Sequence, residues 1–247
     1  MDIFLQQILN GLVLGSVYAL IALGYTMVYG ILQLINFAHG DVLMIGAMTA
    51  LSVIKALFAN VPGMPHAIVF IIAVLVAIVV CMAVNIAIER VAYRPLRNAP
   101  KLAPLITAIG MSIVLQTLAM IIWGRNYNTF PPMLPTDPVE FWGASITPTQ
   151  ITIIILSLFL MGLLVLLINR TKLGRAMRAT AENPRIAGLM GVDSNMVIVA
   201  TFAIGAALAA VAGVMMASNY STAHFYMGFL PGLKAFTAAV LGGIGNI

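Results

Sequence analysis

Charge is the first thing this chain lacks. Only 8% of its 247 residues are Asp, Glu, Lys or Arg, against roughly 25% in a soluble domain. None occurs at positions 3–40, 56–88, 102–124, 141–169 or 194–233. A chain that is 62% hydrophobic cannot cover its own surface in water, so lipid must act as its solvent. Cysteine is equally scarce: Cys81 stands alone, which excludes an intrachain disulfide. The three histidines, His39, His66 and His224, are too widely separated to read as a metal cluster. There is no G-x-x-x-x-G-K-[ST] loop for a nucleotide and no G-x-S-x-G context for a nucleophile. Gly242-Gly243-Ile244-Gly245 lacks the strand and helix that a dinucleotide loop needs, and reads as a membrane turn or helix break. These absences argue against an enzyme, with no catalytic residue, cofactor or metal site assigned. The net charge of +5 does not indicate nucleic acid either, because the basic residues flank apolar runs and lack interleaved aromatics. The amino terminus has no positive n-region, its only charge there being Asp2, so the first apolar run is expected to stay rather than be cleaved.

The apolar runs set the architecture. Each is long enough for the roughly 20 residues that cross a bilayer as a helix, the form lipid permits because it cannot satisfy loose backbone groups. The expected fold class is all-α, a polytopic transmembrane helical bundle. Spans are expected at 8–30, 34–58, 66–88, 102–124, 149–169 and 195–218, and a seventh apolar element begins near Leu233. That element is still running at Ile247, which reads as a C-terminal truncation. The chain is expected to form one transmembrane domain over 1–247, interrupted by a polar loop at 170–194. Nine of the twelve Lys and Arg residues fall within Arg90–Lys101 and Arg170–Arg185. The positive-inside bias therefore places loops 89–101 and 170–194 in the cytoplasm and the proline-rich loop 125–148 outside. Counting back through three spans puts the amino terminus outside, unless the segment 34–58 is re-entrant.

Two groups of polar residues interrupt the apolar pattern. Asn36, His39 and Asp41 bring an amide, an imidazole and a carboxylate to membrane depth, where such groups are costly and usually face a bundle interior or a wet cavity. Three readings stand: a short cytoplasmic turn with Asn36 capping the second helix, a polar cluster that pins helix packing, or part of a translocation pathway. A proton relay between His39 and Asp41 is weakened by their spacing, which turns them in different directions on one helix. The second group is Glu182-Asn183-Pro184 leading to Gly191. Asn183 is a cap, Pro184 suits the first helical turn, and Gly191 is a stop. Between them Ile186, Leu189 and Met190 form one apolar face on a helix of about two turns. So short a helix needs a dock, either a partner groove or the bilayer interface. Upstream, Arg175 and Arg178 are spaced to pair with lipid phosphates or with a partner's acids. Helix packing is expected through Gly11 and Gly15 in the first span, and through Gly205, Ala209 and Gly213 in the sixth.

Longer blocks carry a resemblance. Leu20-Ile21-Ala22-Leu23-Gly24-Tyr25-Thr26-Met27-Val28-Tyr29-Gly30, leading into Ile35-Asn36-Phe37-Ala38-His39-Gly40, is similar to the opening of the LivH-type permeases, the membrane subunits of high-affinity branched-chain amino acid ABC transporters. Ile88-Glu89-Arg90-Val91-Ala92-Tyr93-Arg94-Pro95-Leu96-Arg97, Gly174-Arg175-Ala176-Met177-Arg178-Ala179 and Lys234-Ala235-Phe236-Thr237-Ala238-Ala239-Val240-Leu241-Gly242-Gly243 extend it over essentially the whole chain. The resemblance implies a permease subunit of an importer in the bacterial inner membrane. It implies pairing with a second permease, two cytoplasmic ATPase subunits that bind the ATP, and an external substrate-binding protein. It also implies a coupling helix in the 170–194 loop, at 181–191, although the family's Glu-Ala-Ala…Gly pattern is only loosely matched there. Urea and short-amide permeases share the Asn-x-Ala-His-Gly block, so substrate is not legible in it. A proton-coupled secondary transporter using His39 and Asp41, or a structural membrane scaffold, are the readings from other classes.

Overall fold

The computed structural model describes residues 2–97, 99–100, 102–135, 137–141 and 143–245. Lys101, in the first basic stretch, and Asn246 and Ile247, at the end of the seventh apolar element, lie outside the described residues. Six helices among the described residues are long and apolar enough to cross a bilayer. They are α1 (Asp2–Leu32), α2 (His39–Asn60), α3 (His66–Ile88), α4 (Leu102–Trp123), α5 (Pro148–Arg170) and α8 (Ser194–Tyr220). Two short helices, α6 (Lys172–Glu182) and α7 (Pro184–Leu189), separate α5 from α8. The seventh element is α9 (Phe229–Leu241), which starts earlier than expected and falls short of a span. The fold is the all-α polytopic bundle that the apolar runs call for.

Local chemistry sets the helix ends. Thr147 and Gln150 form a reciprocal capping box at the start of α5, with Pro148 in the first turn. Asp193 caps α8 by accepting from the amides of Asn195 and Met196. Ser221, at φ 54°, terminates α8 in the left-handed region. The segment 89–101, expected as a loop, departs from that expectation. α3 runs on through a π-helical turn at Glu89–Tyr93 and a 3-10 turn at Arg94–Leu96, burying Glu89, Ala92 and Tyr93. A carboxylate paired with arginines lets the helix continue where isolated charges would have ended it.

The two ends of the bundle are distinct. At one, β1 (Asn128–Thr129) pairs antiparallel with β4 (Thr222–Ala223), and β2 (Val139–Phe141) with β3 (Ala144–Ile146). Gln6 of α1 exchanges two hydrogen bonds with the backbone of Ser145, at 3.0 and 2.8 Å. The start of α1 therefore lies at the same end as the 125–148 loop. At the opposite end lie the last turn of α1 and the α6–α7 hairpin.

α2 and α8 form the centre, with α1 and α3 packed against them. Their approach is so close that a Cβ on Gly213 would meet the carbonyl oxygen of Leu43, and one on Gly46 would stand 2.8 Å from the Cα of Ala210. Ala209 is wholly buried, and Gly205 lies against the backbone of Gly24. Gly11 and Gly15 behave otherwise. They lie on an exposed face of α1 with nothing within 4 Å of where a Cβ would stand, so they pack against no described helix of this chain. Their spacing alone could not distinguish a packed face from an open one.

Gly213→Val should lower the stability of the purified protein in detergent by about 1–3 kcal/mol, the usual cost of overpacking. Gly11→Val should leave the unfolding temperature nearly unchanged. Equal shifts in the two variants would show that the α2–α8 contact does not govern stability.

Candidate functional site

After α1 the chain does not turn at the surface. Gln33 adopts φ 51°, and residues 33–38 then climb back into the bundle without regular structure, so that α2 begins deep inside. Cross-links give its depth. Asp41, in the first turn of α2, accepts a hydrogen bond from Gln116 Nε2 at 3.0 Å. Gln116 lies roughly 21 Å along α4 from Leu102, at 1.5 Å per residue. Irregular backbone at such depth is tolerated only where protein shields it.

This geometry overturns the surface-turn reading of Asn36, His39 and Asp41. Asn36 does not cap α2. The residue before the helix is Ala38, with no side-chain cap, and Asn36 Oδ1 instead accepts from the Tyr93 hydroxyl at 2.7 Å. All three side chains are buried. His39 is 0% exposed, and neither ring nitrogen meets the geometry of a hydrogen bond to a described residue. Its ring meets Tyr25 edge-on, with centroids 4.9 Å apart, and lies against Gly24, where any Cβ would strike the imidazole. His39 thus turns toward α1 and α8, and Asp41 toward α4. No hydrogen bond joins the two, so a proton relay between them has no geometry here. Next to Asp41, Gly40 and Ser112 line a small cavity of 60 Å³ with Tyr25, Phe37, Ile109, Phe229 and Leu233. Its lining mixes the Ser112 and Tyr25 hydroxyl-bearing side chains with apolar ones.

At the α7 end, Asn183 Oδ1 accepts from the amides of Arg185 and Ile186 at 3.0 and 3.1 Å. Pro184 comes next, in the first turn, and Gly191 adopts φ 85° just beyond the helix. Ile186, Leu189 and Met190 are 57%, 83% and 81% exposed, an apolar face that no described residue covers. Glu182 belongs not to this helix but to the last turn of α6, which breaks at Asn183. Ser194 Oγ donates to the carbonyl of Pro184 at 3.2 Å and ties the start of α7 to the start of α8. Arg175 is exposed. Arg178 is already engaged, because its guanidinium donates to the Ile168 carbonyl near the end of α5. One of its terminal nitrogens thus satisfies a helix terminus, while the residue stays exposed. Arg178 and Glu182 also line a cavity of 340 Å³ with Met27, Ile31 and Met177.

Several polar residues carry contacts that spacing and composition did not reveal. Glu89 is 0% exposed and accepts from both Arg94 and Arg97. Arg97 also donates to Asn195 Oδ1 at 2.6 Å. Asn85 Nδ2 donates to the Phe202 carbonyl at 2.7 Å, linking α3 to α8. One signal was available for Glu89: it is the single acid between an apolar span and a run of arginines. Gln116 and Asn85 carried none, since each is a lone amide in an apolar helix.

Known proteins give this geometry a context. The family described as the permease component of branched-chain amino acid transport systems matches residues 7–247. The high-affinity branched-chain amino acid transport system permease protein BraD of Pseudomonas aeruginosa is 48% identical over 249 residues, covering 99% of this chain and 80% of the relative. The LivH permease protein of Escherichia coli matches at the same identity and coverage. A probable branched-chain amino acid permease of Methanocaldococcus jannaschii is 28% identical over 100% of this chain and 76% of its own length. No solved structure matches the chain.

The Tyr93–Asn36 bond should register as a coupling of about 1 kcal/mol in a double-mutant cycle of Tyr93→Phe and Asn36→Ala, read from unfolding in detergent. Strict additivity would mean that the bond contributes nothing to holding the head of α2.

Proposed function

The chain belongs to the family of permease components of branched-chain amino acid transport systems, and from that premise we propose that it is a membrane-spanning subunit of an ABC importer for leucine, isoleucine and valine. It pairs with a second permease in the bacterial inner membrane, takes substrate from an external binding protein, and is driven by two ATPase subunits that hold the ATP. Its own contribution is a path and a lever, not a catalytic group. The whole chain acts as one transmembrane domain, embedded in lipid and with no role for nucleic acid. The 125–148 end faces outward, and residues 170–194 face the cytoplasm with the rest of the α7 end.

The observation that carries the coupling part of this reading is α7. A helix of six residues is marginal alone, yet this one has a side-chain cap, a glycine stop and a hydrogen bond to α8. Its three apolar side chains point away from the bundle. Such a helix fits a groove on the ATPase, where Ile186, Leu189 and Met190 would be the anchors. Arg175 lies upstream as a cation for an acidic rim, and Glu182, Asn183, Pro184 and Gly191 shape the segment. ATP drives transport only if the ATPase grips the two states of the permease differently.

The translocation path is proposed to pass the head of α2. A span that begins at mid-depth offers polar backbone and side chains where the bilayer would otherwise supply none, as transporters with discontinuous helices do. Asn36 and His39 build that interruption. Asp41 follows Gly40, which lines the 60 Å³ cavity with Phe37, Ile109, Phe229 and Leu233. The choice of branched-chain amino acids over urea or short amides rests on the family and its relatives.

Replacing Ile186 and Leu189 with Asp should abolish stimulation of the ATPase in the reconstituted complex while membrane insertion stays intact. Coupling that survives both changes would remove α7 from this role. In a Cys81→Ser background, Pro135→Cys should react with an impermeant thiol reagent added outside intact cells. Labelling confined to inverted vesicles would reverse the assigned orientation.

A further inference from the structure

Glu89 is a charge that neither the path nor the lever accounts for. Its carboxylate is wholly buried near the membrane boundary and holds two guanidinium groups, those of Arg94, at 3.2 Å, and Arg97. A buried carboxylate with such partners is an expensive arrangement. Ion pairs of this kind are often no more stabilising than well-packed apolar residues of similar volume, while removing one partner is strongly destabilising. Stability alone is therefore a weak reason for it. Its connections are more specific.

Arg97 spans two elements with one planar group. One terminal nitrogen is on Glu89, and the other is on Asn195 in the first turn of α8. The neighbouring Ser194 is bonded to Pro184, the first residue of α7. On the other side, Glu89 opens the π-helical turn Glu89–Tyr93, and the last residue of that turn holds Asn36 through the Tyr93 hydroxyl. A chain of polar contacts joined by short backbone steps thus runs from α7 through Ser194, Asn195, Arg97 and Glu89 to Tyr93 and the head of α2. Its central element, the π turn, holds an extra residue relative to an α-helix. Loss of that residue would rotate the downstream 3-10 turn, with Arg94, by about 100°.

We infer that Glu89 is a positioning residue for energy coupling: with Arg97 and Asn195 it fastens the α7–α8 junction to α3, so that a displacement of α7 reaches the interrupted start of α2. The inference rests on the reading of α7 as the ATPase-docking helix, and it deepens that reading by naming the joint behind it. Arg90 provides the contrast. It lies in the same turn but is exposed and makes no ion pair among the described residues.

The test uses the full complex of both permeases, the ATPases and the binding protein in proteoliposomes, and reads amino acid transported per ATP hydrolysed. Glu89→Gln keeps the shape and removes the charge. Asn195→Ala cuts the path at an exposed position and leaves the buried pair intact. Both are expected to co-purify with the ATPase and to retain basal hydrolysis, while transport per ATP falls about tenfold, within the range of typical coupling between sites. Glu89→Asp should recover part of the loss, and Arg90→Gln should match the unaltered protein. Normal transport per ATP in Asn195→Ala would overturn the inference. So would a proportional fall of transport and hydrolysis in Glu89→Gln, which marks a merely structural role. If Glu89→Gln fails to assemble, Asn195→Ala decides alone. Failure of the unaltered chain to bind the ATPase would instead overturn the docking role of α7, and the joint with it.

Discussion

Lipid offers no hydrogen bonds, and this structure is organised around one place where that rule is nearly broken. Residues 33–38 carry irregular backbone into the bundle, and α2 starts at depth without a side-chain cap. Such a break persists only when it is enclosed. The enclosure explains why α2 and α8 lie so close that glycines are required at Gly46 and Gly213, and why Gly24 clears space for the His39 ring. It also explains the buried polar bonds around the site, Asn36 to Tyr93 and Asp41 to Gln116, which hold the interruption where unsatisfied groups would cost most.

The same enclosure relates the two proposed working parts. The head of α2 lies inside, where a solute crossing the membrane would meet polar groups. α7 lies outside the bundle, capped, with an apolar face that no described residue covers. Between them stand Glu89 and its arginines, which form the only salt bridges among the described residues. The route joins helical elements through a guanidinium, a carboxylate and a phenol, each held by a hydrogen bond or ion pair.

Much of this was legible in the sequence, and for physical reasons. Charge-free runs located four of the six long helices within two residues, because the length needed to cross a bilayer and the exclusion of charge act on every residue of a span. They missed the starts of α1 and α2 by six and five residues. Asn183, Pro184 and Gly191 described α7 because caps and stops are local chemistry. The errors arose where a residue's meaning depends on what faces it. Asn36 matched a cap by type but serves a tyrosine on another helix. Gly11 and Gly15 shared the spacing of a packed face and lie open. Arg178 was read only as an outward cation and also bonds the Ile168 carbonyl near the end of α5.

By itself, then, the sequence determined the solvent, the helical class, the spans, the orientation bias and the family resemblance, since each is summed over many residues or carried by a contiguous block. Only the tertiary structure decided that α2 begins inside the bundle, that His39 and Asp41 face different helices, and that Glu89 joins α3 to the start of α8. Those facts depend on contacts between residues far apart in the chain, such as Arg97 with Asn195 and Tyr93 with Asn36. Neither periodicity nor local propensity encodes which helix will stand opposite.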